Sequence, residues 1–213
     1  ITLIGKVTGP YPLFGSRVIY VQDESGTGLA VYLGRGTWPP MQAGQSIQAV
    51  GYLRTRNGER ELYVKNPWLF SLGEVGPQQA PVAMRTGDIG EEAEGTLVAV
   101  SGMVVRLESN AFWIDDGSGP ARIFFRSSLG FDRPKLRRGQ VWSATGIVGE
   151  FTTRISRATG YRILVRFITD ITLVSGEGVT DDLTPTATSL ADESATPTLL
   201  PEETDTPAPA QIP

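Results

Sequence analysis

The chain contains the same alternating hairpin twice, as "YVQDESGTGLAVYLG" at 20–34 and as "WIDDGSGPARIFFR" at 113–126. In both stretches apolar residues alternate up to an acidic corner that contains Ser and Gly, and then alternate away from it. A period of two is the pattern of a β-strand with one buried face, and Asp, Ser and Gly are turn-forming residues. The two stretches therefore predict two β-hairpins of the same design.

The similarity between the two halves extends beyond the hairpins. Three further segments align, namely "LIGKVTG" (3–9) with "VSGMVVR" (100–106), "QAGQSIQAVGYL" (42–53) with "LRRGQVWSATGIV" (136–148), and "ELYV" (61–64) with "YRILV" (161–165). Each copy therefore contains five short segments with strand patterns, separated by turn residues. The two copies are offset by about 95 residues. This spacing is too long for a solenoid unit and indicates a duplicated small domain.

The alternation also predicts which side chains face the interior of each copy. The inward set is Ile19, Val21, Leu29, Val31 and Leu33 in the first copy, and Phe112, Ile114, Ala121, Ile123 and Phe125 in the second. The outward set is Val18, Tyr20, Gln22, Ala30 and Tyr32 in the first copy, and Trp113, Asp115, Arg122, Phe124 and Arg126 in the second. The outward set is rich in aromatic and arginine side chains, which solvation alone does not explain.

Charge and composition divide the chain into four parts. Residues 1–66 carry a net charge of +3, 67–96 of -4, 97–175 of +5 and 176–213 of -8. We expect two five-stranded barrels at 1–66 and 97–175, joined by an acidic connector with one short helix at 86–95. The Thr/Pro-rich segment 176–213 has no apolar period and is expected to be a disordered linker or stalk. A tail that folds back on the basic parts is the alternative.

The absence of two residue types limits the chemistry. The chain has no cysteine and no histidine, which excludes disulfides, thiolate or histidine zinc sites, and Ser-His-Asp catalysis. The acidic corners Asp23-Glu24 and Asp115-Asp116 lack the spacing of a calcium loop and are interpreted as turns. No apolar run is long enough to span a membrane. We therefore expect a binding protein that is not an enzyme, with no metal and no cofactor.

The hairpins "VQDESGTGLAVYL" and "IDDGSGPARIFF", followed in the second copy by "LRRGQVWSATG", resemble the OB-fold nucleic-acid-binding family. Similar patterns occur in the wedge domain of RecG-type helicases, in replication protein A and in the anticodon-binding domains of tRNA synthetases. Accessory modules of secreted bacterial nucleases are also similar. The resemblance covers nearly all of 1–66 and 97–172. It implies two tandem five-stranded barrels that bind ligands across strands two and three and the loops 1–2 and 4–5. The segment 34–42 is too short for the helix that usually follows strand three.

Single-stranded nucleic acid binds to basic grooves that carry aromatic stacking surfaces. This chemistry predicts a site mainly on the second copy, with weaker equivalents on the first, and favours DNA over RNA as the partner. The predicted nucleic-acid-binding residues are Arg106, Trp113, Arg122, Phe124, Arg126, Arg137, Phe151, Arg154 and Arg157 of the second copy, and Tyr20, Tyr32 and Arg54 of the first.

Three other interpretations stay open on the sequence alone. The aromatic and arginine face packs the two barrels against each other or against a partner, with the arginines at the rim. The chain is an interaction or spacer module of a larger secreted or cell-surface protein whose linked domains are missing from it, as the first residue, Ile1, also indicates. The third interpretation is oligosaccharide binding. The expected location is extracellular or on a bacterial cell surface.

Overall fold

The computed structural model describes residues 1–126, 129–130, 134–150 and 160–176. Three predicted site residues, Phe151, Arg154 and Arg157, lie outside these ranges. The same holds for residues 177–213, which make up all of the predicted tail except its first residue. The roles assigned to these parts of the chain therefore stay predictions.

The described part of the chain is all-β, as predicted, and forms two seven-stranded sheets. In chain order the strands are β1 (Thr2–Gly9), β2 (Val18–Gln22), β3 (Gly28–Leu33), β4 (Gln45–Val50), β5 (Tyr52–Arg56), β6 (Glu59–Val64), β7 (Phe70–Val75), β8 (Val82–Ala83), β9 (Leu97–Leu107), β10 (Ala111–Asp115), β11 (Ala121–Phe124), β12 (Val141–Gly149), β13 (Arg162–Leu164) and β14 (Ile171–Ser175). We call β1–β7 the N-terminal module and β8–β14 the C-terminal module.

The C-terminal module contains a closed five-stranded barrel. Strand β9 pairs with β10 on one side and with β12 on the other, and β10 leads through β11 and β13 back to β12. The pair β11–β13 is parallel, and the other pairs of this ring are antiparallel. A closed five-stranded barrel is what the resemblance to the OB-fold implies. Strands β8 and β14 extend the sheet beyond the barrel.

The N-terminal module repeats this pairing order, but its ladder is interrupted at one residue. Strands β4 and β5 follow one another across Gly51, whereas β12 runs without a break through the equivalent Gly146. A Cβ atom would lie 2.4 Å from the Tyr63 carbonyl oxygen at Gly51, and 2.5 Å from the Leu164 carbonyl oxygen at Gly146. Both glycines therefore permit a close backbone crossing. The continuous closed ladder is a property of the C-terminal module.

The predicted inward faces form the cores of the two modules. The N-terminal core contains Val7, Ile19, Val21, Val31, Leu33, Trp38, Ile47, Ala49, Leu62 and Val64, with Leu29 packed against it. The C-terminal core contains all five predicted inward residues, together with Val98, Val100, Val104, Trp142, Ala144, Val148, Ile163, Val165 and Ile171. The register of both hairpins is therefore as the alternation predicts, since a slip of one residue would exchange the two faces.

Two features of the connections differ from the expectation. Each module has a further strand after a 3₁₀ turn: β7 follows Pro67–Leu69 and pairs with β4, and β14 follows Ile168–Asp170 and pairs with β12. The short helix predicted in 86–95 takes the form of two 3₁₀ turns, Thr86–Asp88 and Glu91–Ala93. No helix forms between β3 and β4, as expected.

None of the helical turns among the described residues has the length and apolar character that a membrane crossing requires.

Candidate functional site

The two modules lie in one compact unit, in which the outer face of the hairpin β2–β3 packs against strands β9, β12 and β13 of the C-terminal module. The contact consists of the buried side chains Phe14, Tyr20, Ala30, Leu97, Ile147 and Leu164, with Leu13, Val18 and Phe124 packed against them. The ring of Phe14 meets that of Tyr20 edge to face, with the centroids 5.1 Å apart. Burial of apolar surface is the main source of stability in such a contact. The modules are therefore held in a fixed arrangement.

Polar contacts fix the same arrangement. Arg126 Nη1 donates a 2.7 Å hydrogen bond to the Phe14 carbonyl oxygen, and Arg166 Nη1 donates a 3.1 Å hydrogen bond to the Thr8 carbonyl oxygen. Each of these bonds joins an arginine of the C-terminal module to the backbone of the N-terminal module. Hydrogen bonds from charged donors are about twice as strong as neutral ones. The orientation of the modules is thus specified by directional contacts as well as by apolar burial.

An open cleft of about 940 Å³ lies beside this contact. Its arginines are Arg17, Arg56, Arg122, Arg126 and Arg162, its carboxylates are Glu59, Glu61 and Glu150, and its aromatic rings are Phe14, Tyr20, Tyr32, Phe124 and Phe125. Both modules contribute to all three groups. The cleft is therefore a composite feature that neither copy of the repeat contains alone.

A row of three tyrosines crosses the outer face of the N-terminal module. The register places Tyr52 of β5 opposite Tyr63 of β6, and Tyr63 beside Tyr32 of β3. The ring centroids are 5.1 Å apart for Tyr52 and Tyr63, and 6.0 Å apart for Tyr63 and Tyr32. We call these three residues the tyrosine row. One end of the row, Tyr32, lines the cleft, and the other end, Tyr52, is 56% exposed.

Two arginines of β5 lie over the tyrosine row. Arg54 Cζ lies 4.1 Å from the ring centroid of Tyr63 and 4.8 Å from that of Tyr32. Arg56 Cζ lies 4.9 Å from the centroid of Tyr32. Arg54 is also ion-paired with the buried Glu61 at 2.5 Å, which holds its guanidinium plane over the rings. The row therefore presents a surface of alternating rings and guanidinium planes.

The wall of the cleft that belongs to the C-terminal module carries three arginines around Phe124. The Cζ atoms of Arg162 and Arg122 lie 4.2 Å and 5.4 Å from the centroid of this ring. Burial, followed by the positive charges of Arg122 and Arg126, lowers the pKa of Arg162. Like charges are therefore concentrated on this wall.

A protonation site lies where the two modules meet. Tyr20 donates a 2.7 Å hydrogen bond to Glu59 Oε1. Burial raises the pKa of Glu59 to about 7, and the nearby carboxylates Glu94 and Glu61 act in the same direction, against the hydrogen bond from Tyr20 and the charge of Arg162. Glu59 therefore changes its charge near neutral pH.

The acidic corners are turns, as interpreted from the sequence. Asp23 Oδ1 accepts hydrogen bonds from the backbone amides of Ser25 and Thr27. Asp116 accepts hydrogen bonds from Ser118 and from Thr86 of the connector, and these bonds hold the pKa of Asp116 well below its usual range. The carboxylates thus order the turns and attach the connector to the C-terminal module.

Three predicted site residues of the second copy lie outside the lining of the cleft. Trp113 Nε1 donates a 3.0 Å hydrogen bond to Glu108, which is also ion-paired with Arg106 and Arg122. Arg106 Cζ lies 5.5 Å from the Trp113 ring. Arg137 is exposed in the turn before β12. Of the predicted residues, the structure brings together Arg122, Phe124, Arg126, Tyr20 and Tyr32 in the cleft, with Arg54 on the adjoining row.

One predicted site residue lies on the predicted face but is not exposed there. Tyr20 was expected on an open outer face, but it is 3% exposed because the C-terminal module covers this part of the N-terminal hairpin. Gln22 and Ala30 of the same face are buried as well. The outer face of the first hairpin therefore packs against the C-terminal module, whereas Arg122 and Arg126 of the second hairpin line the cleft.

The residues of the row and the cleft that were not predicted for the site are Tyr52, Tyr63, Arg56 and Arg162. A signal for the first three is present in "GYLRTRNGERELYV" (51–64), where Tyr52, Arg54 and Arg56 alternate before the turn and Glu59, Glu61 and Tyr63 alternate after it. That segment pairs as the hairpin β5–β6, so the alternating residues share one face. No comparable signal exists for Arg162, since its place depends on the packing of the two modules.

A cluster of carboxylates lies next to the cleft. Oxygen atoms of Glu91, Glu94 and Glu150 all lie within 4.8 Å of one another. Arg60 is ion-paired with Glu91 at 3.2 Å and donates its backbone N–H to Glu94 at 2.9 Å, and Tyr161 donates a 2.5 Å hydrogen bond to Glu91. One arginine therefore offsets part of this negative charge, and neutral donors of the chain hydrogen-bond to two of the three carboxylates.

No protein-family model and no curated protein matches the chain. It is similar to the solved structure "OBody AM3L09 bound to hen egg-white lysozyme", with 21% identity, 46% of this chain and 97% of that chain covered, and a TM-score of 0.34. It is also similar to the solved structure "Crystal structure of p204 HINb domain", with 16% identity and a TM-score of 0.37. The match covers 81% of this chain and 95% of that chain. Neither likeness carries an argument about this chain, because both TM-scores are low.

Proposed function

We propose that the protein binds single-stranded nucleic acid along the tyrosine row and into the cleft between the modules, without catalysing a reaction. The observation that carries this proposal is the continuity of the two features: Tyr32 ends the tyrosine row and also lines the arginine-rich cleft. Together they form one path of stacking surface and positive charge that crosses the module boundary.

The tyrosine row suits unstacked bases. Single-stranded bases stack on aromatic rings and on guanidinium planes, and each stacked base contributes about 1–3 kcal/mol. The row offers both kinds of surface, since Arg54 and Arg56 lie over its rings. Stacking of this kind tolerates any base, so we expect no strong sequence preference.

This proposal moves the site relative to the prediction from sequence. The predicted site lay mainly on the second copy, whereas the tyrosine row belongs to the N-terminal module and the arginines around Phe124 to the C-terminal module. DNA is the first ligand to test, with RNA as the comparison. The extracellular or cell-surface location stays a prediction.

The test is a fluorescence anisotropy titration of a labelled single-stranded oligonucleotide with the full chain. Tyr52→Ala should weaken binding by about 1–3 kcal/mol and leave stability within about 0.5 kcal/mol, since the side chain is largely exposed. Trp68→Ala is the matched control, because Trp68 is an exposed aromatic residue at 77% that lies outside the tyrosine row and the cleft lining. Equal losses in both variants, or no binding by the wild type, would refute the proposal.

Salt distinguishes this proposal from oligosaccharide binding. Single-strand binding should lose affinity with a slope of about -0.7 per neutralised phosphate in log K against log salt. Binding of a neutral oligosaccharide releases no condensed counterions. If an oligosaccharide binds with an affinity that does not depend on salt, and if Tyr52→Ala abolishes this binding, then an oligosaccharide and not nucleic acid is the ligand of this surface.

A further inference from the structure

The three arginines around Phe124 have a geometry that points to a bound anion. Arg122 lies on β11 and Arg162 on β13, and these parallel strands pair with Ile123 opposite Ile163 and Phe124 opposite Leu164. The residues that precede Ile123 and Ile163 are Arg122 and Arg162, so the same register places these two arginines beside each other. Like charges side by side on neighbouring strands are destabilising. A third cation, Arg126, lines the same wall of the cleft.

Two of the three guanidinium groups are also held in place before any ligand arrives. Arg122 donates hydrogen bonds of 3.1 Å from Nε and 2.7 Å from Nη2 to Glu108 Oε2. Arg126 is fixed through Nη1 by the carbonyl oxygen of Phe14. A guanidinium carries five N–H donors in a planar fork, which matches the geometry of phosphate.

Two of the three carboxylates that line the cleft, Glu59 and Glu61, have partners in the N-terminal module. Glu61 is ion-paired with Arg54, which faces the tyrosine row. Glu59 accepts the hydrogen bond of Tyr20, and burial raises its pKa to about 7. The charges of Arg122 and Arg126 act against that of Arg162, and a ligand anion would lower this mutual repulsion.

We propose that Arg122, Arg126 and Arg162 form a phosphate-binding subsite, which holds the backbone of the bound strand against the C-terminal module while the bases lie on the tyrosine row of the N-terminal module. This placement rests on the proposed function, and it assigns different parts of the ligand to the two modules. The arginines carry the salt-dependent part of the affinity, and the tyrosines carry the stacking part.

The first test uses inorganic tripolyphosphate as the probe, with affinity measured by isothermal titration calorimetry on the full chain. Arg126→Gln and Arg162→Gln should each lower the affinity about tenfold, the loss of a charge-assisted hydrogen bond. Arg85→Gln is the control, because it removes the same charge from an exposed position of the connector outside the cleft lining. We expect it to stay within about twofold of the wild type.

Two results would overturn the subsite. The first is that tripolyphosphate does not bind the wild type, and the second is that Arg85→Gln lowers the affinity as much as the cleft variants do. Thermal unfolding without the probe establishes that each variant is folded. If Arg162→Gln does not fold, Arg126→Gln decides the question alone, because Arg126 is half-buried at the edge of the cleft.

The second test places the strand. Tripolyphosphate should displace a labelled oligonucleotide, and Tyr52→Ala should weaken oligonucleotide binding without changing the affinity for tripolyphosphate. If tripolyphosphate binds through the arginines but does not displace the oligonucleotide, the placement of the backbone is wrong and the proposed function stands. If no oligonucleotide binds, the proposed function fails, and with it the assignment of this subsite to a nucleic-acid backbone.

Discussion

Arg126 of the C-terminal module donates a 2.7 Å hydrogen bond to the backbone carbonyl oxygen of Phe14 in the N-terminal module. The same arginine lines the cleft, so one residue both joins the modules and faces the candidate ligand site. Binding and module packing are therefore coupled through it. A change that separates the modules should also remove the ligand site, because both walls of the cleft must be present.

A close backbone approach between the modules gives a test of this coupling. A Cβ atom at Gly28 would lie 2.0 Å from the Gly95 carbonyl oxygen. Gly28→Ala should therefore force the modules apart, lower the free energy of unfolding by about 1–3 kcal/mol, and weaken oligonucleotide binding. Urea unfolding and anisotropy titration measure the two effects.

Gly90→Ala is the control for this substitution. A Cβ atom at Gly90 would meet nothing within 4 Å, and the backbone there is extended, with a φ of -165°. We expect its stability to stay within about 0.5 kcal/mol of the wild type. A Gly28→Ala variant as stable as Gly90→Ala would show that the modules do not pack as described.

Two adjacent phenylalanines should respond differently to truncation. Phe125 is buried in the barrel, and its ring stacks on that of Phe112 with the centroids 5.6 Å apart. Phe125→Ala should cost about 3–5 kcal/mol of stability, because it opens a cavity. Phe124 lies at the cleft between two arginines, so Phe124→Ala should cost less stability and weaken oligonucleotide binding. The reverse pattern, with Phe124 the more costly to truncate, would mean that the hairpin register is wrong.

The protonation of Glu59 predicts how stability changes with pH. Its pKa is raised from 4.5 to about 7 in the folded protein, so between these values the folded state binds more protons than the unfolded state. The free energy of unfolding should therefore fall as pH rises through this window and stop falling above about 7. Urea unfolding at several pH values measures the slope contributed by this residue. Glu59→Gln should remove that contribution, and an unchanged slope in this variant would contradict the assignment.

The same group should make ligand binding depend on pH. Glu59 lines the cleft together with Arg162, which acts on its pKa, and the charge of Glu59 opposes an anionic ligand. As pH falls from about 8 to about 6, Glu59 becomes neutral, and oligonucleotide affinity should rise. Anisotropy titrations at the two pH values test this, with Glu59→Gln as the variant that should bind equally at both. A wild type whose affinity falls on acidification would exclude Glu59 as the titrating group.

The strands and their faces were predictable because each hairpin satisfies a local rule. Ile19 and Phe125 are buried as a period of two requires, and the turn residues place the acidic corners correctly. The strand β7 was missed because the sequence "FSLGEV" is short and half-exposed, so its alternation is weak. It is stabilised by pairing with β4, which is a tertiary interaction.

The candidate site was only partly predictable, for a different physical reason. An outward residue of a strand is exposed only if nothing packs on it, and no local pattern states that Tyr20 meets the C-terminal module. The tyrosine row, in contrast, was readable from Tyr52 and Tyr63 once "YLRTRNGERELYV" (52–64) was paired as a hairpin. The composite cleft depends on the packing of both modules and lies beyond pattern analysis.

The most direct measurement of the central claim is ultraviolet cross-linking of the full chain to a single-stranded oligonucleotide that contains bromodeoxyuridine, followed by peptide mapping. Stacked bases react with the rings on which they lie, so the account predicts cross-links at Tyr52, Tyr63 and Tyr32, at either end and in the middle of the tyrosine row. Excess unlabelled oligonucleotide should suppress them. Cross-links that avoid the row and fall instead on Trp68 or Trp113 would contradict the account.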